Sequence, residues 1–348
     1  MIDWSLAKQI AGAVAGEPSR RHVRALDELP AVAAESEQLV SGYTGLRASA
    51  PLPRAEALGR AEWIDANIVG LRTMLEPLVG RLGEGFGPLA PVLRAGAGMI
   101  LAAEIGVLFG YLGRNVLGQY ELVIMDPESP ARLLFVAPNL EEAVRAFEAD
   151  PDELVAWVAL HEVTHALQFA GVPWLRAHLA QLLRELMAKL EVRVDASRAL
   201  RLPSTEDLRA FAAAVRSGNL LTFVAGREQR ALLDQVQAVM AVIEGHAEHV
   251  MDAVGADLLP SLPELRSALE RRRGSRSMSA RLLARLFGLD LKLRQYETGK
   301  RFCDTVVDQG GVDALNRVWR DPEALPSLRE LDDPSAWVRR TSVPIVTK

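Results

Sequence analysis

The chain has 348 residues, of which 49% are hydrophobic and 24% are charged, and its formal net charge is −5. This composition supplies enough aliphatic side chains for a large core and predicts a globular protein. The acidic balance gives no general attraction to nucleic acid or to an anionic membrane. Cys303 is the only cysteine, which excludes an intrachain disulfide and a thiolate metal cluster. A metal site would therefore need histidine and carboxylate ligands.

The N-terminal residues do not resemble a secretory signal, because no basic region is followed by an uninterrupted apolar segment. We therefore expect a cytoplasmic protein. The most hydrophobic run, residues 96–113, contains Glu104 and several glycines, so it falls short of a membrane span. It is predicted to be a buried helix, and no membrane association is expected.

The N-terminal third of the chain is predicted to be helical. Helical spacing of apolar residues predicts segments at residues 3–16, 20–42, 54–82 and 91–113. Pro30 is expected to break the second segment, and Pro51 and Pro53 are expected to mark a connection. The last segment is apolar on all sides and is predicted to be the central buried helix.

Two strand-like segments follow. Residues 120–125 and 132–137 are rich in strand-forming side chains, and residues 126–130 between them have the composition of a turn. The pattern predicts a β-hairpin. Two roles stay open for it: its edge can pair with an extended peptide substrate, or the hairpin can simply cover the core.

The rest of the chain is predicted to be helical, so the fold class is mainly α with a small β-hairpin. Helices are predicted at residues 152–170, at 174–200, from Pro203 onward and at 226–254. The predicted regions are an N-terminal helical region (1–118), a catalytic region with C-terminal helices (119–335) and a tail (336–348). We expect them to form one compact unit.

The helix at residues 152–170 has a strong start signal. Asp150 is the expected N-cap, Pro151 the first helical residue, and Glu153 is placed to close a capping box. The helix is thus predicted independently of the motif that it carries.

That motif is H-E-x-x-H. His161 and His165 lie one turn apart on the same side, so their imidazole nitrogens can bind one ion, and Glu162 lies beside them. These are the elements of a zinc hydrolase, in which a carboxylate takes a proton from a metal-activated water. The alternative is a core helix whose histidines bond to each other or to the backbone. The apolar surroundings favour the metal site, because buried polar groups need partners.

A second polar group lies on the helix at residues 226–254, which is predicted to face the motif helix. Glu244 and Glu248 are one turn apart and share a face with apolar residues. Glu244 is a candidate metal ligand, with His249 as its rival, and Glu248 can accept the outer N–H of a ligating histidine. The alternative is a solvated pair of carboxylates. His246 is interpreted as a substrate contact or an exposed residue.

The two motifs, residues 161–169 and 244–249, resemble the zincin-like metallohydrolases found mainly in actinobacteria and related bacteria. Residues 292–302, 316–319 and 322–326 are similar to the C-terminal part of the same family. Its members are described in general terms as hydrolases or as proteins associated with deazaflavin coenzyme biosynthesis. The resemblance extends over most of the chain, as far as Pro334.

This resemblance implies a mostly helical zincin core with two histidines and a glutamate, here His161, His165 and Glu244, on Zn²⁺. It implies peptidase or related amide hydrolase chemistry but does not identify the substrate. From the chemistry of the motif we expect Glu162 to be the general base in the cleavage of a peptide or amide bond. Glu248 stands where the general gluzincin pattern places a second acidic residue. Either Tyr296 or His249 is nominated to donate a hydrogen bond to the developing oxyanion.

Two other interpretations remain. The basic region at residues 271–301 is a candidate nucleic-acid or acidic-partner surface, although a solvated helix face beside a flexible loop is favoured. Alternatively, the chain is an inactive zincin-like protein whose metal is structural and which acts as an interaction module. Glu162 argues against that alternative, because a structural site does not need this carboxylate.

Overall fold

The computed structural model describes residues 2–16, 24–81, 90–189, 227–256, 258–275 and 294–342. Its helices are α1 (Trp4–Ala15), α2 (Leu29–Thr44), α3 (Arg60–Arg81), α4 (Ala90–Asn115), α5 (Ala137–Phe147), α6 (Pro151–Gly171), α7 (Leu175–Lys189), α8 (Arg227–Gly255), α9 (Leu262–Ser275), α10 (Arg294–Asn316), α11 (Leu328–Asp332) and α12 (Pro334–Ser342). Its strands are β1 (Ala55–Leu58), β2 (Gly118–Glu121) and β3 (Arg132–Val136). The predicted class, mainly α with a small β element, is confirmed.

Some predictions fall outside the described residues. These are the end of the predicted helix at 174–200, the helix expected from Pro203, and much of the basic region at 271–301. The division of the chain at residues 118 and 335 stays a prediction. None of the described helices has both the length and the apolar character that a membrane-spanning helix needs.

The sheet has the strand order β1-β3-β2, with β3 in the centre. Residues 133–136 are buried, as expected for a strand covered on both faces. β1 runs parallel to β3, so residues 55–58 are a strand and not part of the predicted helix at 54–82. Local periodicity did not predict β1, because its pairing partner is far away in sequence.

β2 pairs with β3 in antiparallel register, but it is displaced from the predicted strand at residues 120–125. It ends at Glu121, and the connection that follows bonds to α7 instead of to a strand. The guanidinium of Arg176 donates to the carbonyl oxygens of Val123, Asp126 and Pro127 at 2.9, 2.6 and 3.2 Å. These carbonyls are therefore satisfied by a cation distant in sequence.

The predicted central helix is α4, and its expected burial is only partly correct. It packs against α1 and α3, yet Met99 and Ile100 are 58% and 65% exposed. The centre of the fold is instead α6, whose residues from Leu154 to Leu160 join a core cluster with α2, β3 and the end of α8. An all-apolar sequence predicts a helix without showing which of its faces finds a partner.

The start of α6 confirms the predicted N-cap and corrects the capping box. Asp150 accepts from the backbone N–H groups of Asp152 and Glu153 at 2.9 and 3.0 Å. The Glu153 carboxylate does not close a box. It accepts from the backbone N–H of Ser261 at 2.9 Å and from the hydroxyl of the same residue. This tertiary bond ties the N-terminus of α6 to the start of α9.

Candidate metal centre

Helices α6 and α8 pack against each other, as predicted, and bring three potential metal ligands together. The Nε2 atoms of His161 and His165 lie 3.1 Å apart. Glu244 Oε2 lies 3.8 Å from His161 Nε2 and 3.7 Å from His165 Nε2. Among the described residues, these three form the one group of His, Cys, Asp or Glu that can hold a metal ion.

The spacing of these atoms fits a tetrahedral metal site. Ligands about 2.0–2.1 Å from a zinc ion lie about 3.3 Å from one another, close to the separations found here. The side chains of His161, His165 and Glu244 are 21%, 11% and 22% exposed. Each of the three side chains therefore keeps some contact with solvent, whereas the ligands of a structural zinc site typically enclose the ion.

Glu162 follows His161 on α6 and is buried against strand β2. Its Oε2 accepts a hydrogen bond of 2.8 Å from the backbone N–H of Tyr120. Gly118 allows this approach, because a Cβ at that position would lie 2.7 Å from Glu162 Cγ. Burial raises the pKa of Glu162 to about 7, against the lowering effects of His165 and the Tyr120 N–H. The carboxyl is therefore poised to exchange a proton near neutral pH.

The imidazole of His165 is buried beside two carboxylates. Burial disfavours its charged form, but the carboxylates of Glu244 and Glu162 outweigh burial and raise the pKa of His165 to about 9. The two carboxylates thus stabilise a positive charge at the position of His165. Metal binding would replace the proton, because imidazole binds a metal ion in its neutral form.

The acceptor behind His165 is Gln168 and not Glu248. Gln168 Oε1 lies 2.9 Å from His165 Nδ1, and the amide nitrogen of Gln168 continues to Ile243 and His246 on α8. Glu248 is buried on α8, one turn beyond Glu244. A role for Glu248 behind His161 stays a prediction.

His246 is fully buried, so the expectation of an exposed residue is wrong. Its Nδ1 accepts from Gln168 Nε2 at 3.0 Å, and its ring meets Trp319 edge-on at 5.1 Å. Burial, aided by His249 and His165, lowers the pKa of His246 to about 3. The imidazole is therefore a neutral internal acceptor.

His249 is not a member of the cluster. Its Nε2 lies 2.7 Å from the hydroxyl of Tyr43, and its Nδ1 lies 2.7 Å from Asp304 Oδ1. Lys300 in turn donates to Asp304 at 2.6 Å. Both ring nitrogens are thus engaged between α2, α8 and α10, which disfavours His249 as the rival metal ligand and as the oxyanion donor. The side chain of Tyr296, the other nominee, lies outside the described residues.

Several residues around the site were not identified from the sequence. Gln168 had a signal that was available: it is a polar residue within an apolar helix, three positions after His165. Gly118, Tyr43 and Asp304 had none, since each is defined by a contact with a residue far away in the chain.

Comparison with known proteins agrees with this geometry. Residues 2–338 match the model of a family described as zincin-like metallopeptidase. A crystal structure from Chloroflexus aurantiacus, described as "a putative hydrolase with a novel fold", has 31% identity and a TM-score of 0.75. The similarity covers 98% of this chain and 99% of that chain. No match is found among curated proteins. Because the family model spans nearly the whole sequence, this chain belongs to the zincin-like metallopeptidase family.

Proposed function

We propose that the protein is a zinc-dependent metallopeptidase that cleaves a peptide or amide bond, with Glu162 as general base. One observation carries the proposal: His161, His165 and Glu244 converge within 4.8 Å beside the buried carboxylate of Glu162. Family membership supports hydrolytic chemistry in general terms. The ligand set and the role of Glu162 are our inference.

In this proposal His161 and His165 offer Nε2 and Glu244 offers Oε2 to the ion. A zinc ion held there would act as a Lewis acid on a water molecule and on the substrate carbonyl. Glu162 takes the proton of the attacking water. It then carries this proton to the leaving amine, while the Tyr120 N–H donated to Oε2 holds the carboxylate in place.

Strand β2 offers a place for the substrate. The carbonyl of Leu117 accepts from the backbone N–H of Val136 at 2.9 Å. In an antiparallel pair every second residue of a strand directs its backbone N–H and C=O to the partner strand, so those of Gly118 and Tyr120 point away from β3. The Tyr120 N–H reaches Glu162, which agrees with that orientation. No strand in the described part of the chain pairs with this edge. An extended peptide bound along this edge would lie beside the carboxylate, although the Tyr120 N–H already donates to Glu162 and would not pair with the peptide. The substrate role for the β element is part of this proposal.

The variant Glu162→Gln tests the proposal. Its amide oxygen can still accept from Tyr120, so we expect a folded protein with parental zinc content and a kcat at least ~100-fold lower. Zinc would be measured by elemental analysis and turnover on casein and a peptide library. A parent that binds one zinc ion and hydrolyses no peptide or amide would instead support the inactive, structural-metal alternative.

A further inference from the structure

Gln168 lies between α6 and α8, and both ends of its amide are hydrogen-bonded. The residue is fully buried. Its Oε1 lies 2.9 Å from His165 Nδ1 on the same helix. Its Nε2 lies 2.9 Å from the backbone oxygen of Ile243 and 3.0 Å from His246 Nδ1 on the facing helix.

The backbone carbonyl of Ile243 determines which way this amide points. A carbonyl oxygen only accepts hydrogen bonds, so the group of Gln168 that faces it is the NH₂. The amide oxygen therefore faces His165. Since that oxygen also only accepts, the proton of the neutral His165 ring is held on Nδ1. The lone pair is then on Nε2, the atom that lies 3.1 Å from His161 Nε2 and 3.7 Å from Glu244 Oε2.

The same amide also holds the turn of α8 that carries the third candidate ligand. Ile243 directly precedes Glu244, and His246 follows it by two residues. Both contacts of Gln168 Nε2 thus flank the position of Glu244. A rotation or translation of this turn would break both contacts.

We infer that Gln168 is the positioning residue of the metal centre: it commits His165 to the Nδ1–H tautomer and fixes the Glu244 turn of α8 against α6. The inference rests on the proposed metal site. Residues that orient ligating histidines typically contribute ~10–100-fold to metal affinity. A neutral amide orients the ring without adding a further negative charge to a site that already holds Glu162 and Glu244.

Two substitutions separate this role from simple packing. Gln168→Met keeps the length of the side chain but removes the acceptor and the donor. Gln168→Glu keeps an oxygen facing His165 Nδ1 in either protonation state. Thr164→Val is the matched control, since Thr164 is buried on the same helix and its hydroxyl bonds only within that helix, to Leu160 O.

The first measurement is the affinity for Zn²⁺ and Co²⁺ by competition with a chromophoric chelator. We expect Gln168→Met to bind ~10–100-fold more weakly than the parent. Gln168→Glu keeps the acceptor for His165 but loses the amide donor to Ile243 and His246, so its affinity should lie between those of Gln168→Met and the parent. Thr164→Val should stay near the parental value. The second is proton NMR of the Co²⁺-loaded proteins. The His165 Nδ1–H resonance should exchange slowly with solvent in the parent and quickly in Gln168→Met, while thermal unfolding shows that the variants are folded.

The outcomes distinguish this inference from the proposed function. If the parent binds the ions and Gln168→Met matches it in affinity and N–H exchange, the positioning role is wrong and the metal site stands. If Gln168→Glu loses as much affinity as Gln168→Met, the tautomer argument is wrong. If the parent binds neither ion, the metal site is wrong, and this inference with it.

Discussion

The backbone N–H of Tyr120 donates to Oε2 of Glu162 at 2.8 Å, which links the edge strand of the sheet to the motif helix. The bond holds the carboxylate at the side of the strand where a further strand would pair. The strand beside which we propose that the substrate binds therefore also positions the proposed general base.

Gly118→Ala should impair catalysis without emptying the metal site. The new Cβ would lie 2.7 Å from Glu162 Cγ and 2.8 Å from Val158 Cγ1, so the carboxylate has to move. A misplacement of ~1 Å can lower a rate ~100-fold. We expect kcat to fall at least ~10-fold at unchanged zinc content. Gly70→Ala is the control, since its Cβ would meet only Val123 Cγ2 at 3.9 Å. Full turnover by Gly118→Ala would contradict this account of the Glu162 position.

Glu244→Ala should lower the zinc content sharply, because it removes one of three converging ligands. His249→Ala should leave the zinc content unchanged. It should instead destabilise the fold by ~1–3 kcal/mol, because Tyr43 and Asp304 lose a shared partner. Elemental analysis and denaturant unfolding measure the two effects. A site emptied by His249→Ala and kept full by Glu244→Ala would reverse the ligand assignment.

Gly245→Ala and Gly299→Ala should each destabilise the protein by at least ~1–3 kcal/mol. Helices α8 and α10 cross at these residues, where a Cβ on Gly245 would overlap the backbone of Gly299 and a Cβ on Gly299 would overlap that of Ala241. No side-chain rotation relieves a clash with backbone. Gly42→Ala in α2 is the control, since its Cβ would meet nothing within 4 Å. That substitution should be neutral or stabilise by up to ~1 kcal/mol. Equal stability of all three variants in urea would refute the close crossing.

Asp304 should make the folded protein less stable as the pH falls into the acid range. Burial alone would raise its pKa, but hydrogen bonds from His249 and Lys300 outweigh burial and lower the pKa of Asp304. A carboxylate with a lowered pKa in the folded state stabilises the fold above its unfolded pKa of ~3.9, and this stabilisation is lost as the pH falls through the folded value.

Asp304→Asn should therefore unfold at a lower temperature than the parent near neutral pH, and this difference should shrink as the medium becomes more acidic. Thermal unfolding across the acid range measures it. Asp332→Asn is the control, because Asp332 is 74% exposed and its ion pair with Arg301 is a surface contact. A difference between parent and Asp304→Asn that is constant with pH would show that the carboxylate charge does not matter.

The sequence predicted well what depends on neighbours in the chain. The N-cap of α6 at Asp150 and the placement of His161 and His165 on one side of that helix follow from helix geometry over a few residues. The pairing of residues 118–121 with 132–136 was also predictable in kind, since a short connection joins two strand-like segments. The end of the first strand at Glu121 was not predictable from the sequence, because Arg176 donates to the carbonyls that follow it.

By itself, then, the sequence determined a capped helix that carries H-E-x-x-H and a second helix with acidic residues on an apolar face. Only the tertiary structure decided which groups meet. It brought Glu244 to the two histidines, set Gln168 behind His165, directed Glu153 to Ser261, and engaged both nitrogens of His249 with Tyr43 and Asp304. The physical reason is that a polar group in an apolar segment must find a partner, yet several partners are chemically equivalent. The packing of helices distant in sequence selects one of them.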